Sequence, residues 1–436
     1  MSLSQRGLSA TLLLGIFLGA ADLSLLAPGL SPIAQAFHVP LAVASWVVTL
    51  YAIVYGASLP VLFTVQGRYG PCRMFAAGGL LFAAGSLVAG YSGGFLWLLL
   101  GRGLQALAAS ALVPLAGAQI RKVSAPERHG LPRVALGAWY GISAVVAAPI
   151  GGLVVAGFGW RWLFLATAPL GVAVVVLAVF FVSREARGPE ERPDIQGAVL
   201  MALAAAALLL GVEMLYRQAL PLGWASLVFG VLLLPNLVLW ERSTAQPIFH
   251  GDGRLVSVYL LGCLGAAAMA LALFVPLYAM DVLRLSEATS GLALLPMALG
   301  MAATSYYGGA LTRRLPERFL LAGGFLGMAG GAAAVALSRG LPGAVAGLLL
   351  VGGGVGLTMG APLQYLLLGL APKAQAGPAR TLLGTFRALG LAVGPVVYAG
   401  MLPAFTGLFL AAGIIAFLGL AATLPLWGMR PRPKSV

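Results

Sequence analysis

Charge is what this sequence has least of. Of its 436 residues only 9% are Asp, Glu, Lys or Arg, against 60% hydrophobic, where a water-soluble domain carries roughly 25% charged residues. A chain of this length cannot clothe its surface in water with so few charges. A soluble fold is therefore excluded, and lipid is the expected solvent. Cysteine is almost missing as well. Cys72 and Cys263 are the whole complement, and neither a disulfide framework nor a cysteine metal site follows from them. The three histidines, His38, His129 and His250, fall in expected loops and form no metal constellation. No nucleophile–base pattern, phosphate loop or zinc spacing is present. The sequence thus supports neither an enzyme nor an ATP-driven engine, and it calls for no cofactor.

What is present is a succession of long apolar runs, each near the ~20 residues a helix needs to cross a ~30 Å hydrocarbon core. Backbone polar groups find no water there, so the spans are expected to be helices. Reading between charged or Pro/Gly-rich breaks gives fourteen spans, near 7–30, 42–63, 73–91, 95–119, 133–157, 162–183, 195–215, 222–240, 255–279, 288–311, 319–337, 342–366, 377–400 and 404–427. The first run carries a charge and no clean small-residue cleavage site, so it reads as a span and not as a cleaved signal. The most charged segment, 184–194, and the polar break at 241–254 set the organisation. An N-terminal six-helix bundle (1–186), a two-helix linker hairpin (187–253) and a C-terminal six-helix bundle (254–436) are expected, with substrate held between the bundles.

The net charge of +14 is explained by sidedness. With the N-terminus cytoplasmic, twenty Lys and Arg residues fall on the cytoplasmic face, four on the opposite face (Arg161, Arg217, Arg284 and Arg339), and Arg102 and Arg387 within spans. Such a bias places both termini in the cytoplasm. It also removes any need for nucleic acid as a partner, and no obligate protein partner is evident.

Several short patterns, in order along most of the chain, resemble the major facilitator superfamily, particularly its fourteen-span drug–proton antiporter branch. They are Asp22-Leu-Ser-Leu-Leu-Ala-Pro-Gly in the first span, Trp46-Val-Val-Thr-Leu-Tyr51 in the second and Gly67-Arg-Tyr-Gly-Pro-Cys-Arg73 in the turn that follows. Span four carries Leu98-x-x-x-Arg102-x-x-Gln105, span five ends in Ala147-Ala-Pro149-Ile-Gly151-Gly152, and Trp160-Arg-Trp-Leu-Phe-Leu-Ala-Thr-Ala-Pro169 follows. Thr385-Phe-Arg387-x-Leu-Gly390 lies in span thirteen. The resemblance implies an all-α major facilitator fold of two six-helix bundles plus a two-helix insertion. It also implies conformational roles for Arg68, Gly70, Arg73, Pro149, Gly151 and Gly152. The acid that in the family helps latch the bundles at the 67–73 turn is replaced here by Gly67.

Coupling to a proton gradient needs an ionisable group inside the bundle, and acids are scarce enough to go through one by one. Ten of the twelve fall in loops or at surfaces, leaving Asp22 and Glu213. Asp22 is expected a little beyond the middle of span one among Ala, Leu and Gly, where low polarity favours the neutral acid. Intramembrane charges are expensive, and their usual reading is functional. Glu213 lies near the outer end of span seven and reads more readily as an interfacial group. Arg102 keeps its proton and must be paired or hydrogen-bonded. It either steers Asp22 or bonds backbone carbonyls of span one. Arg387 poses the same question for the second bundle. Trp46, Tyr51, Gln105, Trp139, Tyr140, Phe274, Tyr278 and Met301 join Arg387 as candidates for a cavity adaptable to bulky amphipaths.

The expected function is export of amphipathic small molecules across the cell (inner) membrane in exchange for protons. The partners would be the proton, an amphipathic substrate and the lipid bilayer. One alternative is an exporter or flippase of a lipid or a specific metabolite on the same fold. Another is a transporter-like sensor or assembly subunit that moves nothing.

Overall fold

The computed structural model describes residues 3–123, 143, 147, 149–182, 195–216, 219–243, 253–312, 314–338, 340–372, 376–399, 401 and 404–428. Among these residues there are helices and no strands. In a chain whose solvent is lipid this follows directly, because a helix satisfies its own backbone donors and acceptors within one segment. Eight helices among the described residues are long and apolar enough to cross a membrane, from Pro71–Gly90 to Phe405–Leu426. Shorter apolar helices accompany them, including Arg6–Gly19, Trp46–Leu59 and Pro149–Phe158.

The helices pack as two sets. In the N-terminal set, Pro71–Gly90 lies between Phe95–Val123 and Ala168–Phe181, and Leu3–Ala20 packs on both of the latter. In the C-terminal set, Gly253–Met269 packs on Ala376–Ala399 and Phe405–Ala422, and Leu341–Met359 lies between Leu295–Leu311 and Glu317–Leu337.

The buried side chains show where the sets meet. On the side away from the N-terminus, Leu26, Leu30, Ile33, Val47, Leu98 and Phe164 share one apolar core with the C-terminal set. On the N-terminal side, Leu12, Ile16, Phe75, Leu112, Leu115 and Ala178 form a separate core within the N-terminal set. The sets are thus fused at one end of the bundle, while toward the other end the N-terminal set keeps a core to itself.

The first apolar run is not one continuous helix. Leu3–Ala20 ends, the chain bends at Ala21, and a short helix, Asp22–Leu26, is followed by a 3-10 turn, Ala27–Gly29, and the helix Leu30–Ala36. Asp22 therefore begins a new segment instead of sitting within a regular span. The 3-10 turn touches the Ala270–Leu273 turn, the corresponding break after the first helix of the C-terminal set.

Candidate functional site

The interior of the N-terminal set is organised around Arg102, in the Phe95–Val123 helix, which is 0% exposed. A fully buried guanidinium must find acceptors for its donors, because an unsatisfied buried N–H is costly. Arg102 spends four of its five N–H groups on identified acceptors. Nη1 and Nη2 donate to the two carboxylate oxygens of Asp22 at 2.7 and 2.5 Å. Nε donates to the Val47 carbonyl at 3.0 Å, and Nη1 also reaches Oε1 of Gln105 at 2.9 Å. The Tyr51 ring lies 4.4 Å from the guanidinium carbon and the Phe164 ring 5.8 Å away, adding cation–π attraction on the cation's faces.

The network continues outward from Gln105. Its Nε2 donates to the Ser86 hydroxyl at 2.8 Å, Ser86 lies 3.2 Å from the Thr167 hydroxyl, and Thr167 donates to the Phe164 carbonyl at 2.8 Å. Because the Thr167 hydrogen is used on Phe164, Ser86 is the donor to Thr167. Donation then runs one way from Arg102 to the Phe164 carbonyl. Side chains from five parts of the chain are joined: the start of the Asp22–Leu26 segment, Trp46–Tyr69, Pro71–Gly90, Phe95–Val123 and the turn before Ala168–Phe181.

Two expectations for these residues change. Asp22 is 9% exposed, but its neighbour is a bidentate cation in place of purely apolar surroundings. Arg102 does bond a backbone carbonyl, yet that carbonyl belongs to Val47 at the start of the second span and not to the first, whose contribution is the Asp22 side chain. Ser86 lies outside every pattern read from the sequence, and Phe164 and Thr167 lie within the Trp160–Pro169 pattern without an assigned role; the signal for Ser86 is a lone hydroxyl in an otherwise apolar helix.

The remaining candidates are distributed through both sets. Tyr51 is buried and stacks on Tyr55 with centroids 6.2 Å apart. Trp46 packs beside Ala52 and Ile53 with Ala206 and Leu210 of the Ile195–Tyr216 helix. Phe274 is buried edge-on to Tyr398, and Tyr278 lies edge-on to both Phe405 and Phe409. Met301 is buried in the Leu295–Leu311 helix. Arg387 is half-buried and donates through Nη2 to the Met359 carbonyl at 2.8 Å, where the Leu341–Met359 helix stops. Trp139 and Tyr140 lie outside the described residues, as do the side chains of Glu213 and Arg68.

Among the conformational positions, Gly70 has φ 78°, a left-handed backbone that glycine adopts without strain, and it turns the chain into Pro71–Gly90. Arg73 is exposed. Pro149, Gly151 and Gly152 open the Pro149–Phe158 helix, and a Cβ on Gly151 would overlap the Leu25 carbonyl oxygen. Three residues past Asp22, the first and fifth spans thus touch backbone to backbone. The C-terminal set repeats the device, since a Cβ on Gly390 would overlap the Cys263 carbonyl oxygen.

Comparison with known proteins agrees with this architecture. The family model described as Major Facilitator Superfamily matches residues 12–395. A Bacillus subtilis (strain 168) protein described only as an uncharacterized MFS-type transporter, YfiU, is 28% identical over 418 residues, covering 92% of this chain and 80% of that protein. Multidrug resistance protein Stp of Mycobacterium tuberculosis (strain CDC 1551 / Oshkosh) is 26% identical over 408 residues, covering 90% and 75%. Among solved structures, the human organic anion transporter MFSD10 (TETRAN) superposes with a TM-score of 0.67 at 17% identity, covering 97% of this chain and 100% of that one. At that identity the likeness concerns the fold.

Proposed function

The chain belongs to the major facilitator superfamily, and from that membership together with the buried Asp22–Arg102 pair we propose that it is a proton-coupled exporter of amphipathic small molecules. The transporter fold supplies the two bundles, and several relatives carry multidrug-resistance names. The observation that carries the coupling is the position of Asp22, an acid bound to a fixed cation at the joint of the first span.

Protonation of Asp22 removes the charge that holds it to Arg102. The cation itself stays anchored by the Val47 carbonyl, Gln105 and the Tyr51 ring. Asp22 is then the partner that can leave. The segment it begins leads through Ala27–Gly29 to the contact with Ala270–Leu273, so the protonation state of Asp22 bears directly on the joint where the two sets meet. Proton uptake from outside and release to the cytoplasm accompany outward movement of substrate, and only such differential binding can shift the two access states.

In this reading the protein sits in the cell (inner) membrane with both termini cytoplasmic, as the distribution of Lys and Arg supports. Fourteen spans divide at 1–186, 187–253 and 254–436. The substrate lies between the bundles near Tyr51, Phe274, Tyr278, Met301 and Arg387, with no cofactor and no obligate protein partner.

The test is dye or drug movement in proteoliposomes under an imposed pH gradient, wild type against Asp22→Asn. Gradient-driven transport lost in the variant, with substrate binding kept, is the expected result. Undiminished coupling in Asp22→Asn would move the proton carrier elsewhere, with Glu213 next. Indifference of the wild type to the gradient would end the antiport reading and leave the transporter family.

A further inference from the structure

The hairpin between the two sets lies across the seam where they meet. Its first helix, Ile195–Tyr216, packs on both Trp46–Tyr69 of the N-terminal set and Ala376–Ala399 of the C-terminal set, which also pack on each other. Ala206 and Leu210 share one apolar cluster with Ala52 and Ile53 from one side and with Leu389 and Val393 from the other. The second helix, Leu220–Ser243, is zipped onto the first. A Cβ on Gly211, Gly223 or Gly230 would press on Leu227, Leu215 or Leu208 of the opposing helix. Its other face is turned outward, with Trp224, Val228, Phe229 and Leu232 all exposed.

The chemistry of the inner helix differs from that of a fixed interface. Its buried residues are Gly197, Met201, Ala204, Ala205, Ala207 and Gly211, three of them alanine. Alanine offers no long side chain to interlock with a neighbour and loses no rotamer freedom on contact. Between helices in lipid no hydrophobic driving force replaces that interlocking, and close packing of small residues carries the association. Toward Ala376–Ala399 the helix presents Ala206 and Leu210 against Leu389 and Val393, a small apolar contact with little to hold one helix against sliding along the other. The contact with Trp46–Tyr69 is the more extensive of the two among the described residues.

We propose that the hairpin is a lipid seal carried by the N-terminal set: it travels with Trp46–Tyr69, slides over Ala376–Ala399, and keeps acyl chains out of that seam as the sets rock. This rests on the transporter reading only for the rocking motion, not for proton coupling or the identity of the cargo. The outer helix meets the bilayer so that the seam does not.

Pulsed spin-label distances test this without any transport assay. Labels go on three lipid-facing sites, Leu80 in the N-terminal set, Leu232 in the hairpin and Leu326 in the C-terminal set, which are 64%, 60% and 62% exposed. The background is Cys72→Ala with Cys263→Ala, or the wild-type chain with keto amino-acid labels at the same sites should that variant not fold. Between low and high pH, with and without a cationic dye, the Leu80–Leu232 distance should stay one narrow population. The Leu80–Leu326 and Leu232–Leu326 distances should shift together by several ångström. A shift of Leu80–Leu232 with Leu232–Leu326 unchanged would assign the hairpin to the other set and overturn the proposal. Shifts in both hairpin distances would make it an independent body, which overturns it too. If no distance moves, including Leu80–Leu326, the rocking itself is absent, and the transporter reading falls with the seal. If the distances behave as expected while proteoliposomes ignore a pH gradient, the seal stands and only the coupling fails.

Discussion

Asp22 and Arg102, eighty positions apart in the chain, meet as a two-pronged ion pair in the interior of the N-terminal helices, with Arg102 at 0% exposure and Asp22 at 9%. Neither side chain could be left there alone. Taking away one partner of a buried pair strands the other charge and typically costs about 3–5 kcal/mol, whereas replacing both with apolar residues of similar size is often neutral. Arg102→Met should therefore lower the melting temperature in detergent sharply. Adding Asp22→Leu to it should recover much of the loss. A double variant less stable than the single one would mean that Asp22 has a second strong partner.

Gln105 bridges the cation to the hydroxyl chain, accepting from Arg102 and donating to Ser86. Gln105→Leu keeps the approximate volume but removes both bonds, leaving a buried N–H of Arg102 without that acceptor. The expected loss is about 1–3 kcal/mol, the usual penalty for an orphaned buried group. Ser86→Ala removes an acceptor for Gln105 and one neutral donor, and should cost less than Gln105→Leu. Thermal unfolding of the purified variants gives the order, and a reversed order would place the weight of the network on Ser86 and Thr167 instead.

Tyr51 presents its ring to Arg102 at 4.4 Å. Loss of that ring in Tyr51→Leu should destabilise by about 0.5–2 kcal/mol, the range for cation–π contacts from exposed to desolvated sites. Tyr51→Phe retains the ring and should retain most of the stability. The same two variants separate the ring's structural role from contact with cargo. A change in which dyes are moved by Tyr51→Phe, with the melting temperature unchanged, would place the hydroxyl in the substrate cavity.

Much of this architecture was open to sequence reading because lipid leaves few solutions. Apolar runs of span length have to be helices, and scarcity alone marked Asp22 and Arg102 as the charges to explain. Their pairing was not readable, because nothing in the spacing of residues 22 and 102 says that two helices bring them together. The bend at Ala21 also carried no signal of its own, lying between Ala20 and Asp22 with the nearest proline at Pro28. Ser86 is a single hydroxyl in an apolar helix and Thr167 one in the turn before another, and a single residue has no periodicity to reveal which way it faces. The hairpin's place on the seam was invisible for a related reason: an alanine-rich apolar helix reads the same whether it touches lipid or protein.

Gly151 and Gly390 mark the closest backbone approaches near the breaks of the two sets, against the carbonyls of Leu25 and Cys263. A methyl group has no room at either position, and the obstructing atom is backbone, which cannot rotate aside. Overpacking of this kind costs about 1–3 kcal/mol. Gly151→Ala should in addition push the Asp22–Leu26 segment away from the fifth span and disturb the joint on which the proposed coupling depends. Gly390→Ala should cost comparable stability without touching Asp22. Measured side by side, the two variants should melt at similarly lowered temperatures, while gradient-driven dye movement falls further in Gly151→Ala. Equal loss of movement in both would mean that close packing of each set matters for transport, with no special place for the joint at Asp22.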